Sequence, residues 1–185
     1  MKKKVIYSII IVSVIIILSV AVTYAVYTFS GVVNISGTSE CFDVNYVKGQ
    51  DIGSDSNPAN FVLASTYTEG LSSVIKVNLK DTCTITNGTG TLYLNTDTSV
   101  TSSTILSGKV LKYQVLDGTT PVGSGIVSSA ESIEIYKDIP ITTTVKTITV
   151  YIWLDGNLVT EQNQNEILSS VYKGHISMDI KSDDK

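Results

Sequence analysis

The sequence predicts an all-β protein. An antiparallel β-sandwich of about 8–10 strands occupies residues 30–185, and one apolar helix lies within residues 1–29. Three observations carry that reading. Hydrophobic alternation with a period of two recurs through residues 30–185, and helical periodicity is nearly absent. Turn signals built from Gly, Asn, Asp and Pro return every 8–12 residues or so, the spacing of a sandwich. Ahead of all this, Lys2, Lys3 and Lys4 precede an unbroken run from Val5 to Val26 that holds no charge, no Pro and no Gly.

That run sets the address. As a helix it is roughly 33 Å long, enough to cross a hydrocarbon layer of about 30 Å, so the lipid bilayer is its expected partner. The lysines before it stay in the cytoplasm, and the C-terminal part lies outside. Two processing states remain open. The run is longer than the apolar region of a typical signal peptide, which favours a retained single-pass anchor at the cell membrane. Thr23-Tyr24-Ala25 offers a small-residue cleavage site, with the cut between Ala25 and Val26, which favours a secreted or surface-released chain.

The candidate strands follow in order. Val32 to Ile35 is the first. Cys41 to Val47 carries Phe42, Val44 and Tyr46 on one face. Gly49 to Asn60 reads as a loop, Phe61 to Tyr67 as a short strand, and Glu69-Gly70 as a turn. Ser72 to Leu79 alternates through Ile75, Val77 and Leu79. Thr82 to Thr86 leads into Asn87-Gly88-Thr89-Gly90, which reads as a hairpin because Asn-Gly supplies positive φ. Thr91 to Asn95 is then the return strand. Thr96 to Gly108 is a Ser/Thr-rich connection. Lys109 to Leu116 is a strand, Asp117-Gly118 turns it, and Pro121 to Val127 returns. Ser132 to Tyr136 is short. Lys146 to Leu154 alternates most clearly, with Ile148, Val150, Ile152 and Leu154 opposite Thr147, Thr149, Tyr151 and Trp153. Tyr172 to Lys181 is the last strand, with Ile176, Met178 and Ile180 inward.

Charge narrows the functional classes. The formal net charge is −4, from 13 basic and 17 acidic residues. Without Lys2–Lys4 the remainder is more acidic still. It lacks the basic stripe of a nucleic-acid binder, so no nucleic-acid partner is expected. Every basic residue is Lys, so no guanidinium fork is available for bidentate recognition of carboxylate or phosphate.

Candidate chemistry is sparse. Cys41 and Cys83, in an oxidising compartment, read most simply as one disulfide; two buried thiols are the alternative. Two Cys and one His are too few for a zinc site. His175, the single histidine, falls on the outer face of the last strand with no partner motif. Asp51, Asp55 and Asn57 share a Gly-rich loop whose oxygens suit calcium in type but match no EF-hand spacing; a solvated turn is the plainer reading. Asn95 and Asp97 read the same way. Asn34-Ile35-Ser36 and Asn87-Gly88-Thr89 fit the N-glycosylation pattern; the absence of Arg with the many Ile, Asn and Tyr suggests an AT-rich bacterial genome, where such a match is usually a coincidence. Tyr151 and Trp153 share one strand face and form a candidate sugar-stacking platform; packing inside the sandwich is the plainer reading. No catalytic set emerges, no cofactor is expected, and the chain reads as a non-enzyme.

The segment Thr23-Tyr24-Ala25-Val26-Tyr27-Thr28-Phe29, then Val33-Asn34-Ile35-Ser36-Gly37-Thr38, then a strand from Cys41 to Tyr46, resembles the N-terminus of the TasA/camelysin-like surface proteins exported by a SipW-type signal peptidase. Val171-Tyr172-Lys173-Gly174, leading into Ile176 to Ile180, is similar to the turn before that family's last strand. The Gly pair before the cleavage site and the acidic residue after the aromatics are missing, and the cysteine pair lies outside the common pattern. The resemblance implies a jelly-roll sandwich and a fibre or biofilm-matrix subunit in which the freed N-terminal segment adds a strand to a neighbour. Val26 to Ile35 is then the donated strand. Strand addition draws its affinity from backbone hydrogen bonds, which suits a chain poor in motifs. The other reading is a monomeric, membrane-anchored module that binds a wall glycan or a protein partner through Tyr151 and Trp153.

Overall fold

A computed structural model of the chain describes residues 26–35, 41–48, 59–60, 63–98, 101–129, 132–168, 170 and 172–182. The expected N-terminal helix and the Asp51, Asp55 and Asn57 loop lie outside the described residues. Among those described, no helix is long and apolar enough to cross a membrane.

Two sheets pack face to face. One has five strands in the order β3 (Ala59–Asn60), β1 (Val26–Ile35), β11 (Tyr172–Ser182), β6 (Gly88–Thr96) and β9 (Ser132–Ile141). The other runs β2 (Phe42–Lys48), β5 (Leu71–Leu79), β10 (Lys146–Asp155), β7 (Leu111–Asp117) and β8 (Thr120–Ile126), with β4 (Leu63–Ala64) attached to the end of β10. Two short helices, α1 (Ser103–Ser107) and α2 (Gln164–Leu168), sit in the connections. The expected sandwich is therefore present in outline. Its core is the alternation read inward: Ile75, Val77 and Leu79 meet Ile148, Val150, Ile152 and Leu154 across β5 and β10, and Leu92, Leu94, Ile176, Met178 and Ile180 face them from the other sheet. Each is essentially removed from solvent. Fully burying one such side chain is worth about 1.5–3 kcal/mol.

Among the described residues, the expected strand from Phe61 to Tyr67 is only the two-residue β4, followed by a 3-10 turn at Tyr67–Glu69. Three further elements depart from expectation, each for a physical reason. Asn87-Gly88 is not a hairpin. β6 begins at Gly88, and β5 and β6 belong to different sheets, so the chain crosses the sandwich there. Gly88 serves close approach instead: a Cβ at that position would stand 2.6 Å from Cε1 of Phe42. Glycine inside a strand marks such contacts as often as turns. Among the described residues, the one hairpin joins β7 to β8 through Asp117-Gly118, where Gly118 has a φ of +60°.

β9 runs to Ile141 instead of stopping at Tyr136. Its pairing with β6 shifts register twice around Leu92, and Asp138 takes a φ of +53°. Such bulges insert unpaired residues without ending a strand. They leave Lys137 in solvent while Ile135, Ile139 and Ile141 all stay buried.

β1 begins at Val26 and not at Val32, and it pairs parallel to β11 in an otherwise antiparallel sheet, over nine positions from Tyr27 opposite Tyr172 to Ile35 opposite Ile180. The direction follows from the neighbouring element. β2 starts at Phe42, beside Gly88, which is opposite Ser182 at the far end of β11. The seven residue steps from Ile35 to Phe42 reach about 25 Å at most, and a ten-residue strand spans about 33 Å. Hence β1 must finish where β11 finishes. Gly174 lies inside β11, as the strand reading of Tyr172 to Lys181 expected and unlike the turn implied by the resemblance, opposite Thr96 of β6 and Phe29 of β1.

Candidate functional site

Two regions stand out. The first is the seam between β1 and β11. Among the described residues, β3 pairs with the other edge of β1 at its start, at Val26 and Tyr27. The sequence from Val26 to Ser36 carries no charge and no Pro, so it lacks the side chains that usually discourage pairing along a strand. The disulfide is placed just beyond it. Cys41 and Cys83 are bonded, with Cα atoms 5.5 Å apart, as one of the two sequence readings expected. Lys80 N–H donates to the Cys41 carbonyl, and Cys83 N–H donates to that of Lys80. The covalent loop thus ties the start of β2 to the crossover after β5, and β1 lies wholly on its N-terminal side.

The second region is on the outer face of the six-stranded sheet. Trp153 and Tyr151 project from that face of β10, and the turn Tyr67–Glu69, a single 3-10 turn, crosses above them. The Tyr67 ring stands edge-on to Tyr151 at 5.1 Å and tilted toward Trp153 at 6.4 Å. Tyr67 and Tyr151 are half-buried, whereas Trp153 is only 9% exposed. Tyr151 and Trp153 are packed under Tyr67 in a three-ring cluster with Trp153 at the bottom, closer to the packing reading than to an open platform. Tyr67 had no sequence signal: its partners come from a strand more than eighty residues away. Lys112, opposite Trp153 on β7, makes an ion pair with Asp155. That pair holds the Asp155 carboxyl below its ordinary value, with burial opposing and Asn157 hydrogen bonds assisting.

The remaining candidates are structural. His175 is half-buried in mid-sheet, between Ser30 of β1 and Asn95 of β6. Asn95 Nδ2 donates to Ser177 Oγ at 2.8 Å. Asp97 pairs with Lys173 Nζ at 3.5 Å. Asn34 lies in β1 opposite Asp179, and Asn87 Nδ2 donates to Thr86 Oγ1. Among the described residues, no group of three or more His, Cys, Asp or Glu could hold a metal ion. A hydroxyl-rich groove of about 730 Å³ lies beside α1, with Leu106 and Ile126 among its lining residues and Lys109 as its cation. No protein-family model matches the chain, and no curated protein matches it in sequence.

Proposed function

We propose that this chain is a bacterial cell-surface structural protein, membrane-tethered or released after Ala25, whose jelly-roll-like sandwich assembles into a fibre or matrix by strand addition. β1 is the donated strand. The observation that supports this most is its place in the chain: a ten-residue strand added parallel to β11, uncharged, and N-terminal to the disulfide. Exchanging it between copies would unthread nothing from the covalent loop. The acceptor would be the same β11 edge that β1 occupies within its own chain, so the pairing in trans would repeat the pairing in cis. Exchange of an identical element is a low-cost route to assembly.

The test is deletion of Val26 to Ser36. The expected result is loss of polymers by electron microscopy and light scattering, with rescue of the sheet, read by thermal melting, when a synthetic Val26–Ser36 peptide is added back. Assembly that proceeds unchanged in the deletion would overturn the proposal.

A further inference from the structure

Trp153 carries an unresolved demand. Its indole nitrogen is buried and has no hydrogen-bond acceptor. A buried Trp N–H nearly always finds a partner, and leaving one unpaired costs free energy. The turn above does not supply it. Its polar groups close on one another: Ser65 and Thr66 N–H both donate to Glu69 Oε2, Thr66 Oγ1 bonds Thr68 Oγ1, Glu69 N–H donates to the Thr66 carbonyl, and Gly70 N–H to that of Tyr67. The turn's own polar groups are thus spent on one another, while β4 before it and β5 after it are both paired to β10. Its contact with β10 is close. A Cβ at Gly70 would stand 2.7 Å from both the Ile152 carbonyl oxygen and Trp153 Cβ. With the backbone fixed at both ends, rotation of the Tyr67 ring away from Tyr151 and Trp153 is the motion that opens the cluster.

We propose that Tyr67, Tyr151 and Trp153 form a binding site for a neutral N-acetylated sugar, with the Tyr67 ring as its movable wall. The chemistry selects the class. The orphan donor requires an oxygen acceptor, which excludes a purely apolar partner. The one cation beside it, Lys112, is already neutralised by Asp155, which disfavours an anion. Three aromatic rings suit the apolar face of a pyranose, and an acetamido carbonyl is a strong acceptor for the indole N–H. The site shares no residue with the β1–β11 seam, so its failure and the failure of strand exchange are separate outcomes.

Trp153 is the only tryptophan in the chain, so one indole N–H resonance and one fluorophore report on the site alone. The full-length chain in detergent is titrated with triacetylchitotriose, with maltotriose, and with a blocked pentapeptide of alternating Thr and Val. The expected result is a saturable downfield shift of the indole N–H with triacetylchitotriose and a weaker one with maltotriose. By calorimetry, Trp153→Phe, which keeps a ring and removes the donor, should weaken binding about tenfold. Tyr67→Ala, at a half-buried surface position, should weaken it comparably while the thermal midpoint stays close to that of the parent. Absence of a saturable shift with either sugar, a shift with the peptide alone, or unchanged affinity in Trp153→Phe would each overturn the proposal.

Discussion

At Gly88 a single missing side chain decides how the two sheets meet. Gly88→Ala should cost about 1–3 kcal/mol, because the Phe42 ring 2.6 Å from the new Cβ belongs to a buried core residue that has little room to retreat. Urea unfolding would measure it, and a neutral result would mean that Phe42 repacks freely. Two tyrosines carry the residue-scale electrostatics. Tyr172 is pushed up to about 12 by burial, with the Thr96 hydrogen bond opposing. Tyr136 is pushed up to about 12 by burial first, and then by its hydrogen bond to Asp117 and that residue's charge. The folded state thus holds both phenols neutral where an unfolded phenol, at about 10, would ionise. Their contribution is fully present below pH 10 and disappears as the pH rises toward 12. Urea midpoints should fall across that window, and Tyr136→Phe with Tyr172→Phe should flatten the decline. Asp155 acts in the opposite direction: its lowered carboxyl stabilises the fold above the unfolded carboxylate value, and that contribution is lost as the pH falls through the folded one.

β10 shows how far alternation carries. Its inward aliphatic face was legible residue by residue, because period two is a property of the strand alone. Its outer face was not. Tyr151 and Trp153 read as either platform or packing, and the choice depended on a turn from a distant part of the chain. β6 and β9 failed for related reasons: Asn-Gly chemistry at Gly88 was outweighed by packing, and Lys137 broke the alternation of β9 only because a bulge restores it. The disulfide acts at this scale too. It closes a loop with a sequence separation of 42, which the chain-entropy model values at about 4 kcal/mol. Reduction should lower unfolding stability by about that amount and release β2 first, since β2 is an edge strand held by β5 and the covalent tie. Hydrogen exchange before and after reduction would show whether the amides of Phe42–Lys48 lose protection ahead of those in β10.

For the whole molecule, the proposed strand exchange would link export to assembly through the parallel β1. If the chain is a released subunit, N-terminal sequencing and intact mass of the mature protein should give a start at Val26, the first residue of β1. Cleavage there would free the strand at its own boundary. A mature chain that keeps Met1 would indicate a tether, with β1 held beside the membrane and its exchange confined to neighbours in the same bilayer. The same preparation distinguishes the two states of the surface: a subunit engaged through β11 and a monomer presenting the Tyr67, Tyr151 and Trp153 cluster should differ in size by light scattering while sharing one indole signal.

By itself the sequence determined the fold class, the inward faces of β5, β10 and β11, the β7–β8 hairpin and the apolar N-terminal run, all of which rest on local periodicity, turn chemistry and composition. Its Cys41–Cys83 pairing was one of two open readings until the tertiary structure joined them. Only that structure decided which strands are neighbours, that β1 runs parallel to β11, that Gly88 is a packing residue and that Tyr67 covers Trp153. These are contacts between residues far apart in the chain, and they depend on linker reach and steric fit, neither of which is written into any single stretch.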